Sequence, residues 1–133
     1  MIENNLIEPT IKVGNLKSMR TWSDVRDAVR AYYMLLTVNP LPGEYYNIGG
    51  NFTCTVEDML NHLISLSNTN KNIKIIVDET RLRPLDADLQ VPDTSKFKKH
   101  TGWEPEYQFE DTMKDLLNYW RIKVKQDKLF LSR

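Results

Sequence analysis

The chain has 133 residues, of which 41% are apolar and 27% are charged, and its 18 basic residues balance its 18 acidic ones. This length and composition suit one globular domain and exclude a disordered chain. The zero net charge argues against a general nucleic-acid or membrane-surface binder, because such proteins carry a basic excess. No apolar run approaches the roughly 18–20 residues that a membrane-spanning helix needs.

The cysteine content indicates a compartment. The single cysteine, Cys54, cannot form an intramolecular disulfide or a thiolate metal site. We therefore expect a reducing, cytoplasmic environment and a small, buried or half-buried side chain at this position. The first residues lack the basic and then apolar order of a secretory signal, so we expect none.

The first half of the chain is predicted to contain a strand, a helix and a second strand. Residues 10–14 alternate and end in glycine, which indicates an edge strand, and residues 15–22 are predicted to form a loop. Ser23 or Asp24 can cap the next helix. Its apolar residues recur at steps of three and four: Val25, Ala28, Val29, Tyr32, Leu35 and Leu36. Prolines and a glycine within 39–43 end this helix, and residues 44–48 are rich in β-forming residues.

The second half is predicted to contain three helices and one strand. Thr55 and Asp58 form a capping box that opens a helix with Val56, Met59, Leu60, Leu63 and Ile64 inward. Residues 73–78 give the clearest strand signal, residues 79–92 are irregular, and residues 94–101 form a short helix ended by Gly102. The last helix, 109–125, has the apolar stripe Phe109, Met113, Leu116, Leu117, Trp120 and Val124. The pattern predicts an α/β or α+β layer with about four helices and three short strands, few for an independent sheet.

Several kinds of catalytic site have no candidate in this sequence. The glycines at positions 14, 43, 49, 50 and 102 do not have the Gly-x-Gly-x-x-Gly spacing of a dinucleotide loop. His62 and His100 are far apart, and we interpret them as helix-face residues, the second near a helix C-terminus. Tyr119 and Lys123 match Tyr-x-x-x-Lys, but any helix with this pair does, so we do not interpret them as catalytic.

Three arginines occur in irregular or loop segments, where binding residues collect. Arg20 precedes the first helix, and Arg81 and Arg83 follow the clearest strand, with Pro84 restricting Arg83 to an extended backbone. A guanidinium fork suits a pair of phosphate oxygens. Composition alone favours the alternative, in which these are solvated surface arginines.

A set of ordered segments provides a more specific signal. These are residues 13–32, 42–49, 81–84, 95–97, 101–105 and 115–121. Together they resemble the C-terminal region of GDP-mannose 4,6-dehydratases and of the related GDP-4-keto-6-deoxymannose reductases. The resemblance covers about residues 11–122, nearly the whole chain.

The resemblance implies an extended short-chain dehydrogenase/reductase. In that family an N-terminal Rossmann domain binds NADP and carries the Ser/Thr and Tyr-x-x-x-Lys groups, and a smaller C-terminal part closes over the nucleotide sugar. We therefore expect this chain to be the small C-terminal substrate-binding domain of an enzyme that converts GDP-mannose to GDP-4-keto-6-deoxymannose. A reductase, or another nucleotide-sugar epimerase or dehydratase, is the alternative within the family. A stand-alone, non-catalytic binding module is the alternative from another class.

The resemblance also implies roles for individual residues. Arg20 and Arg83 correspond to diphosphate ligands, and Asp86 lies where the dehydratases have a glutamate near the nucleotide ribose. Thr21 replaces an aspartate that is common after the first arginine, and Asp27 is expected to orient the first helix. No catalytic, cofactor-binding or metal-binding residue is expected in this chain, so we expect it to be inactive alone.

The expected organisation follows from these assignments. Residues 1–10 are a polar N-terminal segment, residues 11–125 the substrate-binding domain and residues 126–133 a C-terminal tail, with the Rossmann domain absent. The expected partners are GDP-mannose or a related nucleotide sugar and the missing Rossmann domain, with neither nucleic acid nor membrane. The whole enzyme is expected to be a homo-oligomer.

Overall fold

A computed structural model describes residues 1–83 and 86–126. Its four α-helices are α1 (Val25–Thr37), α2 (Val56–Ser65), α3 (Ser95–Thr101) and α4 (Phe109–Gln126). Its five strands are β1 (Thr10–Val13), β2 (Met19–Trp22), β3 (Phe52–Thr55), β4 (Lys74–Val77) and β5 (Leu89–Gln90), and short 3-10 helices occupy Ile2–Asn4 and Glu79–Arg81. The predicted α/β class and the four helices are confirmed. Within the described ranges, no helix combines the length and the apolar character that a membrane crossing requires.

The strands form two small sheets. β1 pairs with β4 in parallel, so that Ile11 lies opposite Ile75. In the second sheet β2 lies between β3, which is antiparallel to it, and β5, which is parallel. The prediction of a loop throughout 15–22 is therefore wrong for β2. The sequence analysis also missed β3 and β5, because strands of four and two residues are too short for a reliable alternation signal.

The predicted strand at 44–48 is not present. The backbone there belongs to no strand, and Tyr46 and Ile48 pack instead against a core of Ala31, Phe97 and Trp103. The β-forming residues of this segment thus contribute side-chain packing without a pairing partner among the described strands.

A second core joins the three-stranded sheet to the last helix. Cys54 on β3 packs with Phe109 and Met113 of α4, and all three are buried. Burial raises the pKa of the Cys54 thiol, which disfavours the reactive thiolate. The predicted packing role of this cysteine is confirmed.

The helix ends follow the predicted chemistry. Asp24, and not Ser23, caps α1 by accepting from the Arg26 backbone N–H at 2.8 Å. The capping box of Thr55 and Asp58 opens α2, and α3 ends at Gly102, whose φ of 73° is in the left-handed region. These local signals were readable because each depends on residues within one helical turn.

Much of the apolar stripe predicted for α1 does not pack within the described structure. Four of its apolar residues point outward, with exposures of 72%, 59%, 60% and 74% for Val25, Val29, Tyr32 and Leu36. The inward face contains Asp27 and Ala31, with Met34 and Leu35 beside the first core. Since the helix is apolar on more than one side, its periodicity could not identify the side that packs within this chain.

The stripe predicted for α4 is buried in its first part, and of its later residues Leu117 and Val124 are half-buried. Phe109 and Met113 are buried, whereas Leu116 is 40% exposed and Trp120 is 56% exposed. The inward face predicted for α2 is half-buried throughout. A large share of the apolar surface of this chain is therefore uncovered in the described structure.

Candidate functional site

The junction of β2 and β5 brings two of the predicted ligands together. The backbone N–H of Met19 donates to the Asp88 carbonyl at 2.8 Å, and Arg20 lies opposite Gln90 in the parallel register. This pairing draws the segment that begins at Asp86 alongside β2. Arg20 and Asp86, which are 66 residues apart in sequence, become neighbours.

The Arg20 guanidinium is held from two sides. Its Nη2 donates to Asp86 Oδ1 at 2.9 Å, and its Nη1 donates to the carbonyl oxygens of Met19 and Ala87 at 3.0 and 2.5 Å. A guanidinium has five N–H donors. Three are used here, so Nε–H and one Nη2–H have no protein acceptor within the described residues. The two paired side chains keep 21% and 22% of their surface exposed, which leaves the pair accessible to a ligand.

The second oxygen of Asp86 is bound by two residues that the sequence analysis missed. Asn15 Nδ2 and Ser18 Oγ each donate to Asp86 Oδ2 at 3.0 Å, and Ser18 is only 1% exposed. These hydrogen bonds, together with the charges of Arg20 and Arg83, hold the pKa of Asp86 below its ordinary value. Asp86 is therefore a fixed, ionised carboxylate. No local sequence signal could have identified Asn15 and Ser18, because their partner is about seventy residues away.

The Arg81–Arg83 loop is anchored at its start. The Asp78 backbone N–H donates to the Val13 carbonyl at 2.8 Å, and the Asp78 side chain caps the 3-10 helix Glu79–Arg81. A Cβ at Gly14 would lie 2.9 Å from the Arg81 carbonyl oxygen, so only glycine allows the loop to approach β1 this closely.

The two loop arginines have different surroundings. Arg81 forms an ion pair with Asp78 at 3.6 Å, whereas Arg83 is exposed and contributes its charge to the site at Asp86. The structure thus places Arg20 in direct contact with the Asp86 carboxylate, whereas the charge of Arg83 only adds to the lowering of the pKa of that carboxylate. The restraint predicted from Pro84 falls outside the described residues.

Other residues singled out in the sequence have structural roles. Thr21 forms a cross-strand hydroxyl pair with Thr53 at 2.9 Å. Asp27 is 1% exposed and accepts the backbone N–H groups of Glu106 and Tyr107, so it fixes α1 against the chain before α4. This confirms its predicted role in orienting the helix.

The remaining polar candidates form no catalytic group. His100 on α3 contacts the Tyr46 hydroxyl at 2.5 Å and the Asn39 carbonyl at 2.9 Å, which ties α3 to the preceding loops. Lys123 Nζ lies 5.8 Å from the centre of the Tyr119 ring. Among residues 1–83 and 86–126, no cluster of His, Cys, Asp and Glu could hold a metal ion.

An open apolar groove lies elsewhere on the molecule. It has a volume of about 370 Å³ and lies between the N-terminal segment, α2 and α4, with Ile2, Leu63 and Trp120 among its lining residues. None of Arg20, Arg83 and Asp86 lines it. We place the candidate site at Arg20 and Asp86, because the arginine that lines the groove, Arg121, is already paired with Glu3 at 2.7 Å and the rest of the lining is mostly apolar.

Comparison with known proteins identifies the family. Residues 1–116 match the model of the family described as GDP-mannose 4,6 dehydratase. The chain belongs to this family, and it matches the C-terminal part. GDP-mannose 4,6 dehydratase 2 of Arabidopsis thaliana is 26% identical over 95% of this chain and 33% of its own length. The dTDP-D-glucose 4,6-dehydratase of Mus musculus is 33% identical over 81% of this chain and 31% of its own length. The chain therefore spans about a third of these relatives.

The fold agrees with solved structures. RMD from Pseudomonas aeruginosa, solved in complex with NADPH, superposes with a TM-score of 0.80 at 20% identity, over 92% of this chain and 39% of that one. UDP-glucose 4-epimerase from Thermotoga maritima, solved with UDP-glucose, gives a TM-score of 0.74 at 23% identity. At these identities the likeness establishes the fold. The chain has the fold of the matching part of these structures, which is 39% and 36% of their length.

Proposed function

We propose that this chain is the nucleotide-sugar-binding part of a GDP-mannose 4,6-dehydratase, and that residues 11–125 form its substrate-binding domain. The observation that carries the proposal is the ion pair of Arg20 with the fixed carboxylate of Asp86 at the edge of a small sheet, with the positive charge of Arg83 adding to the lowering of the pKa of that carboxylate. Two guanidinium groups suit a diphosphate, and a carboxylate with hydrogen-bonding capacity suits the hydroxyl groups of a ribose. The intact enzyme would convert GDP-mannose to GDP-4-keto-6-deoxymannose.

The catalytic work of such an enzyme requires groups that this sequence does not contain. It has no glycine-rich dinucleotide loop, and Tyr119 on α4 is about half exposed with no loop of that kind nearby. The residues present therefore do not fit a nicotinamide cofactor. We assign NADP to a Rossmann domain that precedes these residues in the intact enzyme, and to this chain we assign binding and orientation of the nucleotide sugar.

The exposed apolar face of α1 supports the presence of a second, cofactor-binding domain in the intact enzyme. Val25, Val29, Tyr32 and Leu36 are each at least 59% exposed and follow one another along the helix. Contiguous exposed apolar surface of this kind marks an interaction site in a soluble protein. Relatives about three times as long as this chain would supply a further domain to cover it.

A reductase or a dTDP-sugar dehydratase is the second candidate. The GDP-6-deoxy-D-mannose reductase of Pseudomonas aeruginosa is 22% identical over 88% of this chain. The mouse dTDP-D-glucose enzyme has a higher identity than the plant GDP-mannose enzyme, 33% against 26%, over a smaller share of this chain. Arg20, Arg83 and Asp86 would serve a diphosphate and a ribose equally well in each case. These residues would recognise the diphosphate and the ribose, whereas recognition of the base and of the sugar would require other groups.

Direct titration tests the proposal. Isotope-labelled chain should show millimolar or weaker binding of GDP-mannose, with amide shifts concentrated at residues 15–21 and 81–90. Titration with dTDP-glucose under the same conditions decides between the candidate sugars. Shifts confined to the apolar groove, or equal shifts with mannose alone, would contradict a diphosphate site at the arginines. Incubation of the chain with GDP-mannose and NADP should yield no keto sugar. Formation of a keto sugar would show that the chain is a complete catalyst and would contradict the proposed binding role.

A further inference from the structure

The first residues of the chain have the hydrogen bonds of a helix C-terminus. The Leu6 backbone N–H donates to the Met1 carbonyl at 3.1 Å, and the Asn5 backbone N–H donates to the Ile2 carbonyl at 3.0 Å. Asn5 itself is in the left-handed region, with φ of 57° and ψ of 27°. These two hydrogen bonds around one left-handed residue form the Schellman motif, which ends α-helices. The 3-10 helix Ile2–Asn4 has only three residues, so this stop signal follows less than one α-helical turn.

The same segment is fixed at the ends of α2 and α4 through Glu3. Arg121 of α4 donates to both carboxylate oxygens of Glu3. Ser67 Oγ and the Asn68 backbone N–H, which follow α2, donate to its Oε1 at 3.0 and 2.8 Å. The two helices therefore determine where polypeptide upstream of Met1 would approach this structure.

The apolar groove starts at this turn. Ile2 lines the groove together with Leu63 of α2 and Trp120 of α4, and its volume is about 370 Å³. Among the described lining residues, the charged side chains are Glu3 and Arg121, which pair with each other at 2.7 Å. A small-molecule site needs polar groups that are free to orient the ligand. An apolar groove between two helices, with its charges already paired, instead suits the apolar face of another helix.

We propose that the 3-10 helix Ile2–Asn4 is the last turn of a longer α-helix, whose earlier turns precede Met1 in the intact protein and whose apolar face fills the groove between α2 and α4. The family match begins at residue 1 and lies in the C-terminal part of the family, and the chain covers 33% of the plant dehydratase, so the relatives have polypeptide upstream. A helix that ends at Asn4 keeps apolar residues on the side of the groove when they occur at steps of three and four before Ile2. The groove is thus an interaction surface for a helix that is continuous with this chain.

Two designed N-terminal extensions of the chain test the proposal. Each adds about fourteen residues of Leu, Ala, Glu and Lys directly before Met1, and the two have the same composition. In the first design the leucines follow steps of three and four before Ile2 and face the groove. In the second design the leucines are on the opposite side of the helix. We expect the melting temperature of the first design to be higher by about 5 °C or more, because only this design buries its leucines in the groove.

Trp120 and Ile122 show which surface the extension covers. Both are 56% exposed, and of these two only Trp120 lines the groove. Trp120→Gln should remove at least about half of the difference in melting temperature between the two designs, whereas Ile122→Gln should leave that difference within about 1 °C. Circular dichroism of the unextended variants establishes that both substitutions leave the chain folded, as their exposure predicts.

Three results would overturn the proposal. They are equal melting temperatures for the two designs, a difference that survives Trp120→Gln, and a dimer of the first design in sedimentation velocity that Trp120→Gln abolishes. The third result would assign the groove to a second copy of the chain. Neither Arg20 nor Asp86 lines the groove, and no nucleotide is used in these measurements, so their outcome is separate from that of the proposed function.

Discussion

The backbone N–H of Glu106 lies between the two carboxylate oxygens of Asp27, at 3.0 and 3.1 Å, although 79 residues separate them in sequence. The same carboxylate accepts from Tyr107 N–H and from Arg30 Nη2, and the Asp27 carbonyl accepts the indole N–H of Trp103. Asp27 thereby joins α1 to the segment between α3 and α4. Its burial makes every one of these contacts costly to lose.

Asp27→Asn should destabilise the chain by about 2–4 kcal/mol, because an amide has fewer acceptor positions than the three N–H donors around it require. Urea unfolding followed by circular dichroism measures the change. Asp111→Asn is a matched control, since Asp111 also lies in the first turn of a helix but is 65% exposed. It should cost about 0.5 kcal/mol through the helix dipole. Equal losses in the two variants would contradict the role of Asp27.

A second prediction concerns acid stability and the pair Glu3–Arg121. Arg121 donates to both carboxylate oxygens of Glu3 at 2.9 and 2.7 Å, and the Arg121 hydrogen bonds lower the pKa of Glu3 from 4.5 to about 2. Because the pKa of Glu3 is lower in the folded chain than in the unfolded chain, the ionised pair stabilises the fold at pH values above the unfolded pKa of 4.5. This contribution is lost as the pH falls from 4.5 toward about 2. Glu3→Gln should therefore cost about 1–2 kcal/mol near neutral pH, and its difference from wild type should vanish over that range.

Unfolding free energies measured in steps from neutral to acid pH check the Glu3 prediction. Glu8→Gln, an exposed change in the same N-terminal segment, should differ from wild type by less than about 0.5 kcal/mol at neutral pH. A Glu3→Gln difference that stayed constant down to the acid limit would show that the lost contact is not the ionised pair.

A third prediction concerns the diphosphate. Arg83→Ala should weaken nucleotide-sugar binding by about ten- to a hundredfold, both in titrations of this chain and as the KM of the intact enzyme. The affinity for the nicotinamide cofactor should be nearly unchanged. Arg81→Ala removes the same charge two residues away, from a side chain paired with Asp78, and should have less than about a twofold effect. An unchanged KM for the sugar nucleotide in Arg83→Ala would contradict the assignment of Arg83 as a diphosphate ligand.

A fourth prediction concerns the outer face of α1. Replacing both Val29 and Leu36 by Gln should reduce concentration-dependent self-association of the chain, as measured by sedimentation velocity, because these side chains are 59% and 74% exposed. The melting temperature should shift by less than about 3 °C. Leu35→Gln, on the half-buried side of the same helix, should instead destabilise the chain by about 1–3 kcal/mol. Association that persists unchanged in the double variant would show that another surface drives it.

The sequence analysis succeeded where the signal was local. Three helix-end signals depend on only a few neighbouring residues, and each is present in the structure. They are the N-cap at Asp24, the capping box of Thr55 and Asp58, and the C-terminal glycine Gly102. It failed at β2, β3 and β5 and at the outer face of α1, where the outcome depends on what lies alongside. Short strands acquire their identity from a partner strand, and a helix that is apolar on two sides acquires its buried side from a partner layer.

The candidate site also has features that the sequence indicated and features that only the structure shows. Residue types and their order in the chain predicted the α/β class and the helices, and the family resemblance added Arg20, Arg83 and Asp86 as candidate ligands. Only the tertiary structure placed Asp86 against Arg20, with Asn15 and Ser18 bound to its other oxygen, and left Arg83 exposed. The physical reason is the parallel pairing of β2 with β5, which depends on contacts between residues about seventy positions apart. Such contacts leave no periodic or local trace in the sequence.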